Sequence, residues 1–262
     1  MRPAELIALV YFVAFLMAAI ALRRQRPLWK SAAALASIGV VAAVNGARWQ
    51  VGTPGAVAVR DWWPLLILPL AYWTPAPLAG RPAVDLERWL ARVDRQWPIL
   101  TRADGRPSRA FDALFEFSYL LVYPMVPAGF LAVAAAGERD VIERFWPALL
   151  ASVLPCYAML AALPTRTPRA LRADAAPQQR GIRLLNVTFL KTFGNEWNTF
   201  PSGHAAGAAA IAVLVARAGS PLALPFALLA AGIALGTVRG RYHYLADTAL
   251  GVALGLAAGL QL

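Results

Sequence analysis

The sequence predicts an all-α fold, a polytopic transmembrane helical bundle, on three observations. Hydrophobic residues make up 59% of the 262 residues against 15% charged, and a mean hydropathy of +0.54 exceeds what a soluble core requires. Apolar stretches of about 17 to 25 residues, the length that crosses a bilayer at roughly 1.5 Å rise per residue, recur along the whole chain. The cations lie between those stretches: 25 Lys plus Arg, almost all arginine, stand against 14 Asp plus Glu for a net charge of +11. That pattern belongs to cytoplasmic loops and to contact with anionic membrane lipids. Arginines scattered in this way argue against a nucleic-acid partner.

Taken in order, the first apolar run, Leu6 to Leu22, meets Arg23, Arg24 and Arg26 without a small-residue cleavage pattern, so it is expected to stay as a span. Two shorter apolar runs follow, Ser31 to Val44 and Trp62 to Trp73. From Pro82 to Trp97 the pattern changes. Leu86, Trp89, Leu90, Val93 and Trp97 recur at helical spacing with Asp85, Arg88, Arg92 and Arg95 between them, which predicts an amphipathic helix, either in the headgroup plane or as an ordinary linker. Five stronger spans come next, at 110–136, 142–163, 201–218, 221–238 and 242–262. Their connections are short except for Pro164 to Phe200, which holds Arg166, Arg169, Arg172, Arg180, Arg183 and Lys191; a loop this long is commonly functional or disordered. Residues 1–105 are therefore expected to form an N-terminal unit of spans and interfacial helix, and 106–262 a catalytic helical core. The single cysteine, Cys156, permits neither an intrachain disulfide nor a cysteine metal cluster.

Counting spans puts the start of 110–136, the end of 142–163, the start of 201–218, the end of 221–238 and the start of 242–262 on one face. Three polar segments gather there: Pro164 to Arg169, Phe200 to His204, and Arg239 to Asp247. In the second, Pro201 suits a first helical turn, where the amides of Ser202, Gly203 and His204 lack intrahelical partners and attract phosphate. Gly203 permits close approach, the Ser202 hydroxyl adds a donor, and His204 is placed to protonate a departing alkoxide. In the third, His243 and Asp247 stand four residues apart on one helix face, a nucleophile with the carboxylate that fixes its tautomer. A phosphoryl group in transit spreads negative charge over three oxygens, and Arg166, Arg169 and Arg241 are the candidate clamps. Arg172, Arg180, Arg183 and Arg239 read instead as membrane-side anchors. A metal site has little support, because the arginines would repel a cation and no metal-ligand motif accompanies the histidines.

These residues resemble the type 2 phosphatidic acid phosphatase superfamily, and within it the branch that includes inositol phosphorylceramide synthases, over roughly residues 110–262. Phe200 to His204 is similar to the family's PSGH segment, and Arg241 to Asp247 with Gly251 to its HxxxD segment. The resemblance implies a bundle of six core helices, here with extra N-terminal spans. It also implies that His243 attacks phosphorus to form a phosphohistidine, that Asp247 orients it, and that His204 protonates the leaving group. Ser202, Gly203 and the arginines would bind the phosphate, with no cofactor and no metal required. Two departures stand out. Pro164 to Arg169 follows the PTxxPR form of the synthase branch, without the family's earlier lysine. Thr237 replaces the arginine six residues before the nucleophile, and Arg241 is taken as its substitute.

The expected activity is a lipid phosphate phosphatase acting on phosphatidic acid, phosphatidylglycerol phosphate or a polyprenyl phosphate. Its rival is a phosphotransferase passing a phospho-headgroup to an alcohol acceptor. A reading from another class, a transporter or silent scaffold, draws on Asp112, Glu116 and the many small residues. The expected location is the cell membrane. Basic loops at 23–30 and 77–109 imply a cytoplasmic site, whereas the resemblance implies one that more often faces outward.

Overall fold

The computed structural model describes residues 2–21, 61–101, 109–171, 181–194, 197 and 200–261. They are helical, without a β-strand element among the described residues, so the all-α bundle expected from composition is the fold. The expected run Ser31 to Val44 lies outside the described residues.

Two compact units divide the chain at Ala79 and Gly80. In the first, α1 (Pro3–Ala21) and α2 (Pro64–Trp73) pair. The Tyr11 hydroxyl donates to the Ala71 carbonyl at 2.9 Å, and Arg2 meets Asp61 at 2.7 Å.

The second unit begins with the amphipathic α3 (Val84–Gln96) and the short α4 (Pro98–Thr101). This differs from the boundary expected at 105, for a physical reason: α3 is stitched to the later helices. Asp94 accepts the Leu245 N–H at 2.9 Å, and the Ala83 N–H donates to the Pro164 carbonyl at 2.8 Å.

The expected span 110–136 is two helices, α5 (Arg109–Leu120) and α6 (Val122–Ala136), bent by 57°. Pro124 accounts for the break, since it cannot donate to the Leu120 carbonyl across it; Pro127 lies inside α6. Next comes the long α7 (Arg139–Ala162). The Pro164 to Phe200 connection carries α8 (Pro168–Leu171) and a twelve-residue amphipathic helix, α9 (Ile182–Phe193), which the sequence reading took as loop.

The centre of the unit is α10 (Gly203–Arg217), α11 (Ala223–Arg239) and α12 (Leu245–Gln261). Gly251, Gly255 and Gly259 form a stripe on α12 at four-residue spacing against α10. A Cβ on Gly255 would lie 2.8 Å from the Ala209 Cβ and collide with the Ala206 carbonyl, so the two backbones touch. Arg217 of α10 closes the far end by donating to the Gly259 carbonyl at 2.6 Å. Beneath this pair, Leu149 and Val153 of α7 pack on Gly207 of α10, and Ile211 and Leu214 are buried further along the same helix.

Among the described residues α1 and α7 are long and apolar enough to cross a membrane, and the bent pair makes a third if it is one span. The helices α10, α11 and α12 have 15, 17 and 17 residues. At roughly 1.5 Å per residue they cover about 22 to 26 Å, short of the ~30 Å hydrocarbon core.

Candidate functional site

The five helix ends expected to share one face do meet. The Ser202 N–H donates to the Asp247 carbonyl at 3.1 Å, joining the α10 and α12 starts. The Arg169 N–H donates to the Arg241 carbonyl at 3.2 Å, joining α8 to the end of α11. Tyr242 reaches Glu116 of α5 with a 2.6 Å hydrogen bond from its hydroxyl.

At the end of α11 the chain turns through Arg241, whose φ of 59° is left-handed. The Arg241 N–H donates to the Val238 carbonyl and the Tyr242 N–H to that of Thr237, the closing pattern that usually places glycine where Arg241 stands. Arginine is kept there by what it reaches: one guanidinium nitrogen donates to the Pro168 carbonyl at 2.9 Å. Arg241 therefore braces the segment that carries Arg169. Thr237, standing where the resemblance would put an arginine, is buried with its hydroxyl 3.0 Å from that of Thr248.

This turn delivers His243 to the start of α12. Its Nδ1 lies 3.3 Å from Asp247 Oδ1, without the alignment of a hydrogen bond. Asp247 is fully buried, and its other oxygen accepts the Tyr244 N–H at 3.2 Å. The His204 ring stands 5.9 Å from the His243 ring, centroid to centroid, and is walled by Tyr119 at 5.2 Å and Tyr123 at 6.0 Å.

The phosphate-binding candidates divide. Ser202 is the N-cap of α10, which starts at Gly203 rather than at Pro201, and its Oγ accepts the Ala205 N–H at 3.4 Å. Of the three amides expected to face outward, that of Ser202 is taken by Asp247. Gly203 has a packing cause: a Cβ there would lie 2.6 Å from the Tyr157 ring. Arg169 stacks over the Tyr242 ring at 5.2 Å, and one of its terminal nitrogens is buried without a hydrogen-bond partner. Arg166 is turned elsewhere. Its guanidinium donates to the Glu87 carboxylate at 2.7 Å and 3.1 Å, and it lines a groove whose walls include neither histidine.

Sequence reasoning put Glu116 either near the catalytic face or in a structural salt bridge, but missed its partners beneath Tyr242. Glu116 is buried and accepts hydrogen bonds from Arg183 at 2.7 Å, from Asn186 at 2.7 Å and from Tyr242. Arg183, read as an anchor, is instead half of a buried ion pair that docks α9 on α5. Tyr242 in turn stacks on Tyr119 at 4.2 Å, so one chain of contacts runs from Glu116 through Tyr242 to Arg169 on one side and through Tyr119 to His204 on the other. Arg239 pairs with Asp112 at 3.1 Å. Arg172 and Arg180 lie outside the described residues.

Chemically the site offers a carboxylate-backed imidazole, a second imidazole in the same layer, and a buried guanidinium N–H group with no acceptor. No curated protein and no solved structure matches the chain. The model of one family, described as the PAP2 superfamily, matches residues 85–260. That match takes in α3, every helix of the core and all the residues just described, and on this ground the chain belongs to the PAP2 superfamily.

Proposed function

We propose that the protein is an integral-membrane phosphoric ester hydrolase that acts on a lipid phosphate through a phosphohistidine. Membership of the family supports a phosphatase-type activity on a lipid phosphate in broad terms. The observation that carries the finer reading is the His243 and Asp247 pair facing His204 beside the unsatisfied Arg169 nitrogen. The far nitrogen of His243 attacks phosphorus as the phosphorus–oxygen bond to the lipid alcohol breaks, and His204 gives its proton to the departing oxygen. Water then attacks the phosphohistidine as the phosphorus–nitrogen bond to His243 breaks, His204 takes a proton from that water, and free phosphate leaves. Arg169 holds the charge that builds on the equatorial oxygens. The proposed setting is the cell membrane, with the headgroup at the depth of the α10 and α12 starts.

The test is an alkaline detergent quench of the solubilised protein after reaction with dioctanoyl phosphatidic acid labelled in its phosphate. Wild type is expected to yield an acid-labile, base-stable phosphoprotein and free phosphate, and His243→Ala neither. His204→Ala is expected to form the phosphoenzyme from p-nitrophenyl phosphate, whose leaving group needs no proton, but not from the lipid. Full phosphate release by His243→Ala would sink the mechanism.

One observation favours a second reading. Pro164 to Arg169 follows the PTxxPR form of the synthase branch, for which an alcohol replaces water in the second step. Labelled headgroup appearing in a new lipid with little free phosphate would select it.

A further inference from the structure

A groove of about 850 Å³ runs between α3 and the 164–171 segment, apart from the catalytic layer. Arg88, Arg92, Arg95 and Arg166 line it together with two carboxylates, Asp85 and Glu87. The carboxylates are not evenly shared. Glu87 is buried and bound to Arg166, and Asp85 sits 3.1 Å from Arg88. Arg92 and Arg95 complete the wall, so the groove keeps a surplus of two positive charges and an appetite for an anion.

The flanks decide what kind of anion. Val84 and Leu171 at the groove are exposed at 39% each, and Trp89 and Trp97 of the same stretch at 46% and 57%. Exposed tryptophans beside a row of arginines on one amphipathic helix mark the boundary between headgroups and acyl chains. A soluble anion has no use for the apolar flank, whereas a phospholipid fills both: phosphate among the guanidinium groups, chains along Val84 and Leu171.

We propose that this groove is a second, non-catalytic binding site for the headgroup of an anionic glycerophospholipid. Its occupant also touches the machinery at one remove. Arg166 lends its carbonyl to the Tyr244 hydroxyl at 3.0 Å, and Tyr244 follows His243.

The experiment counts lipids retained on the full chain by native mass spectrometry after exchange into micelles of mixed phosphatidylglycerol and phosphatidylcholine. Wild type is expected to keep phosphatidylglycerol in preference. Arg92→Gln with Arg95→Gln is expected to weaken that retention roughly ten- to twenty-fivefold, since each basic residue near an anionic lipid contributes about fivefold. The Lys versions of both positions should keep most of it. Both positions are exposed, and an unchanged melting temperature of the Gln variant checks its fold. Three results would overturn the proposal: equal retention by wild type and the Gln variant, loss of phosphatidylglycerol in Arg169→Gln but not in the Gln variant, or displacement of the lipid by millimolar inorganic phosphate. The readout is binding, so it stands or falls separately from turnover.

Discussion

Arg166 and Arg169 stand three residues apart on one segment, yet their guanidinium groups meet different partners. Arg169 keeps a buried nitrogen without an acceptor over the Tyr242 ring, and Arg166 is spent on buried Glu87. Substitution should separate the two. Arg169→Gln is expected to lower kcat/KM about a hundredfold, the usual cost of removing one donor to a transition-state oxyanion, with little change in melting temperature. Arg166→Gln should do the reverse, costing less than about tenfold in kcat/KM but destabilising the protein because Glu87 is left buried without its cation. Paired kinetics and thermal unfolding check both, and matching profiles would refute the distinction. His243, Asp247 and His204 were legible in the sequence because four-residue spacing and a helix start are local facts. The fate of Arg166 was not, since Glu87 lies 79 residues away and no local pattern announces that pairing.

At the scale of elements, α9 was hidden in a basic connection, and only its partner explains its charge. Arg183 and Glu116 are both buried and bond at 2.7 Å. Removing one member of such a pair leaves a charge with neither water nor counter-ion. Arg183→Met is expected to cost about 3 kcal/mol by thermal or denaturant unfolding, and Tyr242→Phe, which only unties the ring from Glu116, to raise KM more than it lowers kcat. A neutral Arg183→Met would contradict the burial.

The contact of α3 with α12 has a pH signature. Burial pushes the Asp94 carboxyl up from 3.8 to about 6, with the negative charge of Asp247 adding to it and the Leu245 N–H and Arg241 opposing it. A folded-state pKa above the unfolded one means that the native protein holds the extra proton between these values. This contribution to stability is complete below about pH 4 and is lost as pH rises through 6. Asp94→Asn keeps an acceptor for Leu245 and carries no charge, so it should melt higher than wild type at pH 8 and show a flatter slope between pH 4 and 6. Parallel melting curves would disprove the linkage. The bend in 110–136, which the sequence analysis took as one span, has a local cause in Pro124, whereas the cap that Asp94 places on α12 bridges 151 residues and left no local trace.

For the whole molecule, the glycine stripe of α12 has a mechanical consequence. His204 and His243 are carried by two helices whose backbones touch, so proton donor and nucleophile ride on one plank. Arg169 and the Glu116 support come from a connection and from a bent helix pair, outside that plank. Bilayers of different thickness strain the short helices at a cost of fractions of a kcal/mol per Å. In phosphatidylcholine vesicles of graded chain length, KM is expected to vary about threefold or more while kcat holds within about twofold. A kcat that tracks thickness under constant KM would show the plank itself flexing. Otherwise chemistry here is insulated from the membrane, and the membrane is felt only in how the headgroup is held.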